Sequence, residues 1–344
     1  MLPETLTLDG LKALTDETGM FQHSKYSTVD RKEGYTTDDN ARAIIAALRH
    51  HRLYGGLESL RLADTYLTFL YHMLRADGRF HNMLGYDRRF KDEVGSEDCM
   101  GRALWANGYA LSSDVPEGMR YLAKEVLDRG LPASHGFTSP RARAFTILGL
   151  RYYHEAFPDD PNIKGNTEML AESLIEQYRL EAEGSWRWYE SYLTYANARL
   201  PQALFAAYES TKDRSYLQVA KSSLDFLIEV QMVEGKFVPI GTNGWFMKNG
   251  VRAMYDQQPI EASCMVEVAL AAWKLTGDEV YRETAKTAFE WYHGRNLQGV
   301  ILYSPETGTC YDGITHEGLN RNQGAEATLS YYLAYLEMRA NNLL

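Results

Sequence analysis

Three stretches of the sequence share one pattern: ADTYLTFL at residues 63–70, AKSSLDFL at 220–227 and AKTAFEWY at 285–292. The second and third also follow the same lead-in, a Thr-x-Asp-x-x-Tyr motif that begins at Thr211 and again at Thr276. Internal repeats of this kind are typical of folds built from one recurring unit. The aspartates of the lead-ins, Asp213 and Asp278, are well placed to cap a helix, so we expect a helix to begin after each.

Two kinds of helix alternate along the chain. One kind carries charge on one side and apolar residues at spacings of three and four, which is typical of a helix with one face in water. These outer helices are predicted at residues 6–19, 57–75, 116–129, 166–180, 214–231 and 279–294. The other kind is poorer in charge and richer in Ala, Leu and Gly. These inner helices are predicted at residues 38–51, 98–112, 139–154, 195–209, 260–275 and 324–339.

Six alternations predict an all-α fold, an (α/α)6 toroid that forms a single domain over residues 1–344. Each hairpin of such a ring buries its apolar face against its neighbours. An open α-solenoid is the alternative, but it does not need long loops before every inner helix. Those loops are predicted at residues 20–37, 76–97, 131–138, 181–194, 232–259 and 295–323. Because long loops on one rim usually carry function, we expect the site at the mouth that they surround.

Composition excludes several partners. The net charge is −10 and no run of Lys or Arg occurs, which disfavours nucleic acid and anionic membrane surfaces. The sequence begins without a secretion signal and has no apolar stretch long enough to span a bilayer. Three widely spaced cysteines indicate reduced thiols, so we expect a cytoplasmic protein. No metal-binding motif or glycine-rich phosphate loop is present, and no cofactor is predicted.

The six-hairpin pattern resembles the (α/α)6 six-hairpin glycosidase superfamily, which includes glycoside hydrolases and the N-acetylglucosamine and cellobiose 2-epimerases. The resemblance covers nearly the whole chain at the level of the fold. It implies that the substrate lies in the mouth of the toroid, with catalytic groups at or just before the N-termini of the inner helices. Consecutive aspartates like Asp38 and Asp39 are also used by one mannanase family of this fold, and the resemblance therefore suggests a mannose-containing substrate.

The catalytic candidates are the acids at these helix starts, Asp38, Asp39, Glu190, Asp256 and Glu326. Asp39 is favoured because like-charged neighbours raise each other's pKa, which suits a proton donor. Glu190 lies in an aromatic cluster, before the inner helix that faces Asp39 across the ring. The simpler interpretation is that such acids cap helices or form ion pairs. The i,i+4 spacing of Asp38 with Arg42, and of Asp98 with Arg102, allows such pairs.

Further side chains near the helix starts are candidates for substrate binding, because aromatic rings stack on sugars and amides bind hydroxyls. They are Glu97, Asp98, Arg102, Trp186, Trp188, Tyr195, Gln257, Gln258, Glu261, His316, Asn320, Asn322 and Gln323.

Glycoside hydrolysis of an oligosaccharide by two carboxylates is the leading hypothesis, and the resemblance favours inversion at the anomeric carbon. A phosphorylase would replace water with phosphate. A sugar 2-epimerase or isomerase would need two opposed histidines, for which His135 and His316 are the candidates. A lyase or unsaturated-uronide hydrolase would use Arg42, Arg102 and Arg141 to bind a carboxylate. A carbohydrate-binding toroid without catalysis is the last alternative, and the oligomeric state is left open.

Overall fold

The computed structural model describes residues 5–344, in which helices alternate between an outer and an inner ring. The outer helices are α1 (Asp9–Ala13), α3 (Leu57–Met73), α5 (Glu117–Gly130), α7 (Pro161–Glu181), α9 (Arg214–Gln231) and α11 (Glu279–Glu290). The inner helices are α2 (Thr37–Tyr54), α4 (Glu97–Leu111), α6 (Pro140–Ala156), α8 (Arg199–Thr211), α10 (Pro259–Thr276) and α12 (Ala325–Ala340). The predicted all-α class is confirmed.

The inner helices form a closed ring. Each packs against the next from α2 to α12, and α12 packs against α2. Helices α4 and α6 approach closely, since a Cβ atom on Gly108 would lie 2.2 Å from the carbonyl oxygen of Gly149. Glycine is needed where two backbones approach in this way. The (α/α)6 toroid is therefore confirmed, and the open solenoid is wrong.

Several predicted helices begin or end elsewhere: α7 begins at Pro161 rather than residue 166, and α11 ends at Glu290 rather than residue 294. Two further differences have a visible local cause. The first outer helix ends at Ala13 rather than residue 19, because Asp16 accepts a hydrogen bond of 2.8 Å from the amide of Thr18 and turns the chain. The inner helix expected from residue 195 begins at Arg199, because Ala196 has a left-handed φ of 48°. That conformation interrupts a right-handed helix.

Short antiparallel strand pairs join the long loops of one rim. The pairs are Ser24–Lys25 with Thr28–Val29, Tyr35–Thr36 with Met83–Leu84, Tyr192–Leu193 with Phe246–Met247, Met232–Val233 with Lys236–Phe237, Tyr303–Ser304 with Thr309–Cys310, and Gly313–Thr315 with Gly318–Asn320. A 3-10 helix, Leu131–Gly136, fills most of the predicted loop at 131–138. Two of these pairs join different loops: one joins the loop before α2 to the loop before α4, and the other joins the loop before α8 to the loop before α10. Backbone hydrogen bonds therefore hold neighbouring loops of the rim together.

Inner and outer helices are capped by different residue types. Asp213 accepts from the amide of Ser215 at 2.8 Å and Asp278 from that of Val280 at 3.0 Å, so both predicted caps are confirmed. Hydroxyl side chains cap three inner helices: Thr36 caps α2, Ser96 caps α4 and Ser139 caps α6. The acids at the starts of α2 and α4 are therefore not needed as caps and are available for other contacts.

All three cysteines, Cys99, Cys264 and Cys310, are free and buried. Within residues 5–344, every helix is too short or too polar to cross a bilayer.

Candidate active site

A cavity of about 490 Å³ opens at the N-terminal ends of the inner helices. Its walls are strongly polar. The carboxylates are Asp38, Asp39, Asp312 and Glu326, the guanidinium groups are those of Arg42 and Arg102, and the other polar or aromatic groups include Gln22, His23, Tyr195, Gln258 and Asn320. The predicted mouth therefore contains three of the five catalytic candidates and four of the predicted binding residues.

Arg42 lies between two carboxylates and joins α2 to α12. Its Nη2 atom is 2.7 Å from Asp39 Oδ1, and its Nη1 atom is 2.9 Å from Glu326 Oε2. The second oxygen of Asp39 accepts a hydrogen bond of 2.6 Å from the hydroxyl of Thr36. Burial raises the pKa of Asp39, and the charge of Arg42 opposes this increase. Both oxygens of Asp39 are thus occupied, whereas Glu326 Oε1 has no hydrogen-bond partner in residues 5–344.

Asp38 forms its ion pair with the neighbouring inner helix. Its Oδ1 atom is 2.7 Å from Nη1 of Arg102, and its Oδ2 atom accepts a hydrogen bond of 3.1 Å from Asn82. The expected i,i+4 pairs of Asp38 with Arg42 and of Asp98 with Arg102 are therefore wrong. Asp38 instead pairs with Arg102 of the adjacent helix, and Arg42 pairs with Asp39 at i,i+3 and with Glu326 of α12.

Asp312 is a further carboxylate of the cavity that sequence reasoning missed. Its Oδ1 atom accepts a hydrogen bond of 2.7 Å from the amide of Gly324, the N-cap residue of α12. Its Oδ2 atom has no hydrogen-bond partner in the described part of the chain. Burial raises the pKa of Asp312, and the hydrogen bond from the Gly324 amide and the nearby His23 act in the opposite direction. Asp312 is thus a carboxyl group that stays protonated to a higher pH and has one free oxygen.

Two catalytic candidates do not line the cavity. Glu190 is buried and accepts hydrogen bonds of 3.1 and 2.9 Å from Nη1 of Arg141, which also binds the carbonyl of Tyr195. Asp256 lies in the loop before α10, where its carbonyl accepts from the amide of Thr242. The structure therefore does not bring Glu190 opposite Asp39 in the cavity, because an arginine holds it inside the wall.

The aromatic cluster around Glu190 is core rather than a sugar platform. Trp186 and Trp188 are buried, and each packs against Phe226. The Nε1 atom of Trp186 donates to the carbonyl of Glu190 at 2.9 Å. Within this predicted set of aromatics, Tyr195 alone reaches the cavity.

Other predicted binding residues hold the loops together. Glu97 accepts from the amides of Thr138 and Ser139, and Asp98 accepts from the hydroxyls of Ser139 and Tyr195. The remaining members of this group bind neighbouring backbone or side chains outside the cavity: Gln257 binds Trp291, Glu261 binds Ala196 and Asn197, Asn322 binds the amide of Tyr26, and Gln323 binds Thr307 and Thr309.

The two histidines of the epimerase hypothesis do not meet. His135 donates a hydrogen bond of 2.6 Å from Nε2 to Oδ1 of Asn166, a residue of outer helix α7. His316 is exposed at the tip of the hairpin 313–320 and packs edge-on against Tyr255. Neither lines the cavity, and His23 is the one histidine among the described residues that does.

No family model matches the sequence, and no curated protein is significantly similar to it. Solved structures do match. The chain is similar to a D-mannose isomerase, with a TM-score of 0.75, 14% identity and 100% of both chains covered. It is also similar to the cellobiose 2-epimerase of Bacillus thermoamylovorans, with a TM-score of 0.76, 12% identity, and 99% of this chain and 96% of that one covered.

A GH76 α-mannanase of Bacteroides thetaiotaomicron is similar as well, with a TM-score of 0.63, 15% identity, and 97% of this chain and 92% of that one covered. The chain shares the (α/α)6 toroid of these solved structures. At these identities the similarity describes the toroid and leaves the reaction open.

Sequence alone gave no strong signal for the residues that were missed. His23 and Asp312 lie in loops correctly predicted to form the rim, at 20–37 and 295–323. The second loop also contains Glu306 and Glu317, and no local pattern separates these acids from Asp312. The hydrogen bond to Gly324 brings Asp312 into the cavity, and such a contact between loop and helix start is not visible in a sequence.

Proposed function

We propose that the chain is a glycoside hydrolase that cleaves a neutral oligosaccharide in the mouth of the toroid, with residues 1–344 acting as one domain. The observation that carries this proposal is the charge of the cavity. Four carboxylates face two guanidinium groups, and each of these guanidinium groups is already within 2.9 Å of a carboxylate. Such a cavity favours the positive, oxocarbenium-like transition state of glycoside hydrolysis. It disfavours the anionic substrates of a phosphorylase or a uronide-specific enzyme.

Asp312 is the proposed general acid. Burial raises its pKa, which favours the protonated form, and Oδ2 is free to transfer the proton to the glycosidic oxygen as the bond to the anomeric carbon breaks. The leaving sugar then departs as an alcohol, and Asp312 becomes a carboxylate. Solvent returns the proton before the next cycle.

Glu326 is the proposed general base. Its side chain is 43% exposed and Oε1 has no hydrogen-bond partner in the described residues, so this oxygen can accept a proton from a water molecule. The water oxygen attacks the anomeric carbon from the side opposite the leaving group, which inverts its configuration. Arg42 orients Glu326 through Oε2, and Asp39 in turn holds Arg42. We therefore assign Asp39 a positioning role, and its role as the proton donor stays a competing prediction.

The remaining walls suit a neutral sugar. Gln22, Gln258 and Asn320 carry amides that bind hydroxyl groups, and the ring of Tyr195 gives an aromatic surface. We propose a mannose-containing oligosaccharide because the GH76 α-mannanase shares the fold and acts on mannan by its name. The free, buried cysteines support the proposed cytoplasmic location.

A sugar epimerase or isomerase is the second candidate, and two observations favour it. The isomerase and the epimerase superpose with higher TM-scores than the mannanase, and His23 lies in the cavity near Asp312. Against it, proton abstraction beside a carbonyl builds negative charge, which the surrounding carboxylates disfavour. The cavity also lacks a second histidine among the described residues.

A screen of neutral oligosaccharides tests the proposal. The wild-type protein is incubated with manno- and gluco-oligosaccharides beside three matched variants, Asp312→Asn, Glu326→Gln and Asp39→Asn, and released sugars are measured. We expect release by the wild type, near-complete loss in the first two variants and partial activity in Asp39→Asn. Full activity of Asp312→Asn would contradict the assigned acid, and interconversion without release would support the second candidate.

A further inference from the structure

One wall of the cavity is the segment 192–197, which leads into α8. The ring of Tyr195 lines the cavity, and its hydroxyl donates to Asp98. The next residue, Ala196, has a φ of 48°, in the left-handed region that is unfavourable for residues with a Cβ atom. A segment in this conformation is kept in place by its surroundings, so its contacts decide where the Tyr195 ring lies.

Glu261, in the first turn of α10, makes contacts that hold the segment 192–197 in place. Its Oε1 atom accepts a hydrogen bond from the amide of Ala196, and its Oε2 atom accepts one of 3.2 Å from Nδ2 of Asn197. Asn197 also bonds to both backbone polar groups of Thr194, at 3.0 and 2.7 Å. The carboxyl group of Glu261 therefore holds the two residues that follow Tyr195.

Glu261 is buried and lacks an ion pair within residues 5–344, in contrast to other buried acids of the ring interior. Glu190 is held by Arg141, and Glu267 is held by Arg49 and Arg199. A buried carboxylate without a counter-ion is costly. An amide side chain of the same shape would accept from the Ala196 amide without that cost.

The charged and titratable groups around Glu261 do not neutralise it. The hydrogen bonds from Ala196 and Asn197 and the charge of Arg141 act to lower its pKa, but the Arg141 guanidinium is paired with Glu190 of the loop before α8. Arg199 of α8 is bound to Glu267, and Cys264 lies one turn further along α10. Burial consequently raises the pKa of Glu261 to about 7. Glu261 therefore changes between its protonated and ionised forms near neutral pH.

We propose that Glu261 is a positioning residue whose charge sets the Tyr195 wall, closed when Glu261 is uncharged and opened to water when it is ionised. In the open state Glu261 is hydrated and ionises at an ordinary carboxyl pKa. Raising the pH therefore shifts the equilibrium from the closed to the open wall. This inference rests on the proposed function only in taking the cavity as the substrate site. It does not depend on which bond is made or broken there.

Hydrogen exchange of the full chain at the segment 192–198 tests this directly, because it needs no substrate. In the wild type, after correction for the intrinsic exchange rate, we expect the opening equilibrium to rise about tenfold between pH 6 and pH 8. Glu261→Gln, uncharged at both pH values, should lose this pH response and stay protected. Glu261→Ala should be exposed at both pH values, because the contacts to Ala196 and Asn197 are gone.

Glu155→Gln, at the opposite end of the ring, is the matched control and should keep the wild-type pH response. An unchanged pH response in Glu261→Gln would overturn the inference, as would a wild type that shows none. Failure of the hydrolase proposal is separate, since it is read from released sugar. If release is observed, the KM of the wild type should rise between pH 6 and pH 8 and level off above that, and that of Glu261→Gln should not.

Discussion

The two ends of the toroid differ in a way that cavity size alone does not reveal. The cavity at the C-terminal ends of the inner helices has a volume of about 640 Å³, against about 490 Å³ at the mouth. Its least exposed carboxylate, Glu337, lies 3.6 Å from Arg49 and 3.0 Å from Lys274, and these cations outweigh burial and lower its pKa to about 2. At the mouth, Asp312 and Glu326 each keep one oxygen free. Asp114 and Glu155, the other acids that line the opposite cavity, are exposed. Partly buried carboxylates with a free oxygen, rather than volume, therefore distinguish the end that is suited to chemistry.

The loops at the two ends differ as well. At the mouth, paired strands connect the loops before the inner helices. At the opposite end, the connections from inner to outer helices are short, such as residues 55–56, 212–213 and 277–278. Short connections cannot bring additional side chains over a cavity. The opposite end is thus built for stability, and the comparison predicts different outcomes for substitutions at each end.

Substitution of the proposed acid should have the largest effect. Asp312→Asn retains an oxygen for the amide of Gly324 but cannot donate a proton, so we expect kcat to fall about 10³-fold with little change in Tm. Because Asp312 has a raised pKa and acts in its protonated form, wild-type activity should decline on the alkaline side as this proton is lost. Initial rates against pH measure both effects. An alkaline limb that persists unchanged in the residual activity of Asp312→Asn would assign it to another group.

At the opposite end, Arg49→Met should affect stability and not activity. Arg49 lies 2.6 Å from Glu267, and its loss leaves this buried carboxylate with Arg199 alone. Breaking buried ion pairs of this kind costs about 3 kcal/mol. Chemical denaturation measures the loss, and kcat measured well below the unfolding transition should match the wild type. A large fall in kcat with normal stability would place function at this end as well.

Removal of one hydroxyl from the cavity wall should have a smaller effect. Tyr195→Phe keeps the aromatic ring but removes the hydrogen bond to Asp98. We expect KM to rise about fivefold, which corresponds to about 1 kcal/mol, with kcat nearly unchanged. Steady-state kinetics separate the two constants. A fall in kcat similar to that of Asp312→Asn would give the hydroxyl a direct part in the reaction.

Removal of the two remote histidines should have the smallest effect. His135→Ala and His316→Ala change side chains outside the cavity, so each variant should keep activity within about twofold of the wild type. The His23→Ala variant is the matched comparison, because it removes the histidine that lines the cavity. Loss of activity in both His135→Ala and His316→Ala would revive the histidine-pair hypothesis.

The sequence was sufficient for the architecture because a ring of hairpins leaves a periodic record. Each outer helix needs one apolar face, and lead-ins such as Asp213 and Asp278 mark where helices begin. The location of the mouth followed from loop lengths. Where the backbone departs from helical geometry, at Ala196, the boundary was predicted incorrectly, since nothing in the local residue pattern requires a left-handed residue there.

The site was only partly predictable, because residue type does not reveal a partner from another helix. Asp39 and Glu190 were both predicted to be available for catalysis, but the structure buries each of them against an arginine. Asp312 was missed for the opposite reason. In the sequence it looks like an ordinary loop acid, and only its hydrogen bond to Gly324 shows that it belongs to the cavity. Contacts between elements that are distant in sequence decide which acids are occupied and which remain free.

A proton NMR time course in D₂O, with the oligosaccharide that gives release in the screen, tests the central claim most directly. Hydrolysis at the mouth predicts new anomeric signals, first of the inverted anomer, with no deuterium at C2, and their absence in Asp312→Asn. Exchange of the C2 proton without new chain ends would contradict the account and assign the toroid to epimerisation or isomerisation.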